Sequence, residues 1–118
     1  MLTVSEHDGV VVLSMSAPAD VTAADAAEFD RAAQASSAGR RTVLDLSRVG
    51  FLDSAGVGSI VRLHRRLEAG GGELRLAAAS GPVATILELV RLHRMIEVHD
   101  TVESAVTSFR DEGDGERR

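Results

Sequence analysis

Apolar residues along this chain recur with two periods, and the switch from one to the other sets out the elements. Leu2 to Val4 and Val10 to Met15 are short runs of β-formers separated by Ser5-Glu6-His7-Asp8-Gly9, whose Asp-Gly pair signals a tight turn, so a hairpin is predicted. Ser16-Ala17-Pro18-Ala19-Asp20 breaks the pattern. Thr22 to Asp25 has the form of a capping box with Asp in the place of Glu. It opens an Ala-rich helix to about Ser36, in which Phe29 is the large anchor beside Ala26, Ala32 and Ala33.

Thr42 to Leu46 is a compact apolar run, the pattern of a strand buried on both faces. Val57, Ile60, Val61, His64 and Leu67 then follow helical spacing along one face, with Ser59, Arg62 and Arg66 on the other, until Gly70-Gly71-Gly72 ends the helix. Glu73 to Ala78 returns to alternation, with Leu74 and Leu76 on one side. Ser80-Gly81-Pro82 opens a further helix whose predicted buried stripe is Val83, Ile86, Leu87 and Val90. His93 to Met95 is a connection, Ile96 to His99 a last short strand, and Asp100-Thr101 the start of a terminal helix through Val102, Ala105, Val106 and Phe109. Asp111 to Arg118 has no apolar residue and is expected to be a disordered tail, leaving residues 1–110 as one domain.

The resulting order, β-β-α-β-α-β-α-β-α, predicts an α/β fold. It has a mostly parallel sheet of about four to five strands, about four helices and an antiparallel N-terminal hairpin. Composition narrows the chemistry. There are three Phe and no Tyr, Trp or Cys, and the net charge is −5. A base-stacking platform, a phosphate-backbone binder, a disulfide and a thiolate metal site are all disfavoured, and no direct nucleic-acid contact is expected. All 13 basic residues are Arg, which removes a Walker lysine and a Schiff base. Without an 18-residue apolar run or a signal-peptide layout, the chain is expected to be cytoplasmic, with no direct membrane contact. No motif calls for a cofactor or a metal.

The most informative stretch is Asp53-Ser54-Ala55-Gly56-Val57-Gly58, between an apolar strand and a helix. A serine there lies where the first helical N–H groups are unpaired and the macrodipole is positive, so a hydroxyl or an attached phosphate finds donors. Gly56 and Gly58 clear side chains from beside it, and Asp53 adds a carboxylate. Either Asp53 or Ser54 also suits a plain N-cap.

The run VLDLSRVGFLDSAGVGSIVRL, a helix, a glycine run, the strand ELRLAA and a helix opened by Ser-Gly-Pro-Val resemble the STAS family. Within it they resemble the single-domain anti-sigma factor antagonists, over about Leu2 to Phe109. That resemblance implies a STAS-like domain that is not an enzyme. It implies that Ser54 is phosphorylated by an anti-sigma factor that is also a serine kinase, and dephosphorylated by a metal-dependent serine phosphatase. The unphosphorylated form would bind the anti-sigma factor and free a sigma factor, and the chain would be a monomer or weak dimer. Asp20 falls where the family often has the acid of a Gly-Glu-Leu-Asp motif, but the motif here reads Ala17-Pro18-Ala19-Asp20. Ala55 stands where the family often carries a second hydroxyl. Expected partner contacts are Asp53, Ser54, Gly56, Gly58, Ser59, Arg62 and Asp20, with Arg66 beside them.

Three other readings share some of these features. A hydrolase would need Gly-x-Ser-x-Gly, and the residue two before Ser54 is Leu52. His64 falls on the apolar helix face, where packing is its expected role. A receiver domain phosphorylated on Asp53 would need an acidic pair and a lysine. A constitutive STAS scaffold, stressosome-like or transporter-associated, shares the fold and is separated from a switch only by whether a charge at Ser54 changes binding.

Overall fold

The Asp8-Gly9 turn closes as the pattern predicts. Both residues take positive φ, 53° and 79°, the two-residue geometry that matches the twist of its strands. Strand β1 (Leu2–His7) pairs antiparallel with β2 (Val10–Met15), His7 lying opposite Val10. The computed structural model describes residues 2–116, with side chains for all of these except Ser36 and 111–116. After the hairpin come β3 (Ala19–Val21), α1 (Ala26–Ser37), β4 (Arg41–Asp45), β5 (Val49–Leu52), α2 (Ser54–Ala69) and β6 (Glu73–Ala77). Helix α3 (Gly81–Leu89), a single 3-10 turn (Leu92–Arg94), β7 (Val98–His99) and α4 (Val102–Glu116) complete the order.

The main sheet has the strand order β1-β2-β4-β6-β7, and every pairing after the hairpin is parallel. The two-residue period of its central strands divides the core. Val11, Leu13, Leu44, Leu74 and Leu76 point to one face, where Phe29 of α1, Ile60, Leu63 and Leu67 of α2, and Val83 and Leu87 of α3 cover them. Val10, Val12, Val43 and Ala77 point to the other, under Ala105, Val106 and Phe109 of α4.

Arg75 belongs to that second face and is only 1% exposed. Its guanidinium lies 4.0 Å from the centre of the Phe109 ring, meets Glu73 at 3.0 Å and Glu97 at 3.5 Å, and donates to Ser108 Oγ at 2.6 Å. A charge can be held inside because every direction in which it needs a partner is supplied.

Four expectations are corrected. A second, two-stranded sheet joins β3 to β5 in parallel, pairing Ala19 with Val49 and Val21 with Leu52, where the sequence pattern showed no strand. Helix α1 begins at Ala26, because Thr22 to Asp25 closes as a turn in which the Asp25 amide donates to the Thr22 carbonyl at 2.9 Å, and the Asp25 side chain caps nothing. On α3 the buried stripe is Val83 and Leu87, with Ile86 partly covered and Val90 exposed, since the helix meets the core along a narrower seam than its composition suggests. Helix α4 continues through Glu116, into the segment expected to be a tail, and residues 117–118 lie outside the described residues.

Candidate functional site

Strand β5 ends at Leu52 and α2 begins at Ser54, so one residue turns the chain from strand to helix. That residue is Asp53, in extended conformation at φ −96° and ψ −174°. It is the N-cap. Asp53 Oδ1 accepts the Gly56 amide at 2.9 Å, and its backbone carbonyl accepts the Val57 amide at 3.0 Å. Its second oxygen, Oδ2, accepts the Ala23 amide at 3.1 Å, fastening the loop before α1 to the start of α2. These contacts hold the carboxyl below its ordinary value. The Gly56 amide is the foremost cause, set against partial desolvation, with the amides of Ala23 and Ala55 adding to it.

Ser54 is the first helical residue and is exposed. Among the described residues its hydroxyl makes no hydrogen bond, so the cap works without it. One expectation changes here. Of the amides expected to await an anion on Ser54, that of Gly56 is already bonded to Asp53 Oδ1 and that of Val57 to the Asp53 carbonyl.

The other expected contact residues divide. Gly56 is buried against the chain itself, its α-carbon packed on the Val21 carbonyl, and so clears no space for another macromolecule. Gly58 is half-buried with only Arg62 near it. Ser59 is fully buried and accepts from Arg62 Nη2 at 3.1 Å, because it lies at the edge of the buried stripe of Gly56, Ile60, Leu63 and Leu67, on the side where α2 meets α1. Arg62 also grips Asp30 of α1 through Nε at 3.1 Å and Nη2 at 2.9 Å, and Arg66 donates to Gln34 of α1 at 2.8 Å. Both arginines are thus engaged with the chain's own first helix. Asp20 lies exposed on β3, leaning over Gly50 of β5, the strand that leads into the site.

What actually borders Ser54 is apolar. Phe51, Val57, Ile86 and Val90 line a shallow cleft of about 340 Å³ with Asp53 and Ser54 at its edge. The sequence offered one pointer to it, a phenylalanine in a chain with three aromatics, immediately before the junction. The sequence pattern places Ile86 and Val90 in the core stripe of their helix, and the structure leaves them at this cleft instead. His64 is buried on the packed side of α2 as expected, with Nε2 3.4 Å from Glu68 and no hydrogen bond to Nδ1 among the described residues. Among the same residues no group of three or more His, Cys, Asp or Glu is placed to hold a metal ion, and no helix is long and apolar enough to cross a membrane.

A protein-family model, that of the STAS domain, matches residues 1–105. An anti-sigma F factor antagonist of Paenibacillus polymyxa is 26% identical over 110 residues, which are 92% of this chain and 93% of that protein. The crystal structure of an anti-sigma factor antagonist from Mycobacterium paratuberculosis superposes with a TM-score of 0.82 at 28% identity, covering 93% of each chain. A crystal structure from Thermotoga maritima superposes with a TM-score of 0.83 at 25% identity, covering 92% of this chain and 94% of that one.

Proposed function

Because this chain belongs to the STAS domain family, we propose that it acts as an anti-sigma factor antagonist in the cytoplasm, with Ser54 as its reversible phosphorylation site. The observation that carries the reading is the state of Ser54. It is an exposed hydroxyl without a structural hydrogen bond among the described residues, set on a helix start that Asp53 has already capped. Such a group can be modified with little consequence for the fold. The Paenibacillus and Mycobacterium proteins, antagonists by name, match over nine-tenths of this chain and lend the reading its partner class.

In this reading the unphosphorylated protein binds an anti-sigma factor that is also a serine kinase, and a sigma factor is set free. Phosphate on Ser54 adds roughly −1.5 to −2 charges at neutral pH. With the Gly56 amide committed to Asp53, that charge has one donor fewer at the helix start and stands beside a second anion. A docked partner meets repulsion and a bulkier surface, and a loss of ~3 to 4 kcal/mol lowers affinity several-hundred-fold. A serine phosphatase restores the starting state. No cofactor of the antagonist itself enters the cycle.

Two measurements test this. A mass spectrum of the protein isolated from its own cells should carry phosphate on Ser54 in part of the population. The purified serine-kinase anti-sigma factors of the same genome should include one that binds wild-type protein and loses Ser54→Asp. A partner that holds both forms equally would instead mark a constitutive scaffold.

A further inference from the structure

Helix α3 has more apolar surface than the core uses. Val83 and Leu87 are buried, yet Ile86, Leu89 and Val90, at i, i+3 and i+4, form a second stripe on which Leu89 is 76% and Val90 51% exposed. A helix with apolar residues on two faces has a second surface to cover. Phe51 of β5, 44% exposed, stands across the cleft from that stripe. The cleft's polar edge is Ser54 and Asp53.

We propose that Phe51, Val57, Ile86, Leu89 and Val90 form the apolar half of the surface on which the anti-sigma factor docks, and that the cleft receives an apolar side chain of that partner. The inference rests on the reading of Ser54 given above and adds to it a second point of contact. One cleft holds both the hydroxyl and the apolar walls, so a protein sensitive to charge on Ser54 has to lie over Phe51, Ile86 and Val90.

Size favours this occupant over a second copy of the chain. The five side chains expose on the order of 350 Å², within the range of the largest patch on an ordinary monomer. A stable interface takes about 800 Å² from each side. The patch is therefore too small to hold a dimer by itself, and of a size to be the apolar centre of an interface whose polar part is Ser54 and the start of α2.

The test titrates the purified serine-kinase anti-sigma factors of the same genome with wild-type protein, Leu89→Asp, Val90→Asp, Phe51→Ala and Ser54→Asp by isothermal calorimetry, with sedimentation of the antagonist alone. Leu89 lies mostly in solvent, so Leu89→Asp folds and decides the matter should Val90→Asp fail to. The expected result is a monomer, and a loss of affinity of at least tenfold for the two Asp variants and severalfold for Phe51→Ala. If Leu89→Asp binds as wild type does while Ser54→Asp is weakened, the apolar surface is wrong and the reading of Ser54 survives. If Leu89→Asp is weakened and Ser54→Asp is not, the surface survives and the switch fails. A wild-type dimer split by Leu89→Asp, or a panel in which no kinase binds wild type, overturns the assignment of the occupant.

Discussion

Gly56 of α2 and Val21 of β3 touch backbone to backbone: a β-carbon on Gly56 would collide with the Val21 carbonyl oxygen. The contact sets the depth at which α2 enters the fold, and therefore the height at which Ser54 meets solvent.

Gly56→Ala and Gly58→Ala are expected to move stability in opposite directions. At Gly56 the carbonyl of a paired strand has to give way, a loss of about 1–3 kcal/mol. At Gly58 a β-carbon would meet only Arg62 Nη1 at 3.4 Å, an ordinary contact, so removing a helical glycine gains about 0.5–1 kcal/mol. Urea unfolding of both variants checks the pair, and two losses of equal size would refute the contact as described.

Asp53→Ala should lower the melting temperature by a few degrees at neutral pH, because Gly56 and Ala23 both lose an acceptor. The pH dependence has a definite sign. A carboxyl whose folded pKa is depressed adds stability above its ordinary value, near 3.8, and loses that contribution as the pH falls through the lowered one. Melting curves of wild type and variant should therefore differ above about pH 4 and converge in stronger acid. A constant gap across the range would mean that the carboxylate charge plays no part.

Arg75 and Phe109 should prove coupled. The guanidinium lies over the ring in a buried site, and such pairs contribute roughly 0.5–2 kcal/mol beyond the area they bury. A double-mutant cycle with Arg75→Met and Phe109→Leu measures it through unfolding free energies. Additive losses would mean that the guanidinium and the ring do not couple.

Ser54→Ala and Ser54→Asp should both unfold within about 0.5 kcal/mol of wild type, since the hydroxyl makes no hydrogen bond among the described residues and the site is exposed. Amide spectra of the two should superpose outside the cleft and the first turns of α2. Shifts spread through the main sheet would contradict a switch that acts at the surface.

Sequence alone determined the parts of this protein whose instructions are local. The Asp8-Gly9 turn, the apolar runs of β2 and β4, the helical spacing after Ser54 and the glycines that end α2 each specify their own conformation within a few neighbouring residues, and the structure follows them. The position of Ser54, exposed on the first turn of α2 beside Asp53, was legible for the same reason. Tertiary structure decided what depends on residues far apart. Strands β3 and β5 are three and four residues long, too short to show a period, and they exist because they pair with each other. Arg75 reads as a solvent-facing position of an alternating strand until α4 covers it with Phe109. Ser59, Arg62 and Arg66 read as a free face until α1 packs there. Ile86 and Val90 carry the same apolar signal as Val83 and Leu87, and only the placement of α3 on the sheet decides which pair is covered. Hydrophobicity says that a side chain is better out of water; which neighbour removes it from water is settled by the packing of the whole chain.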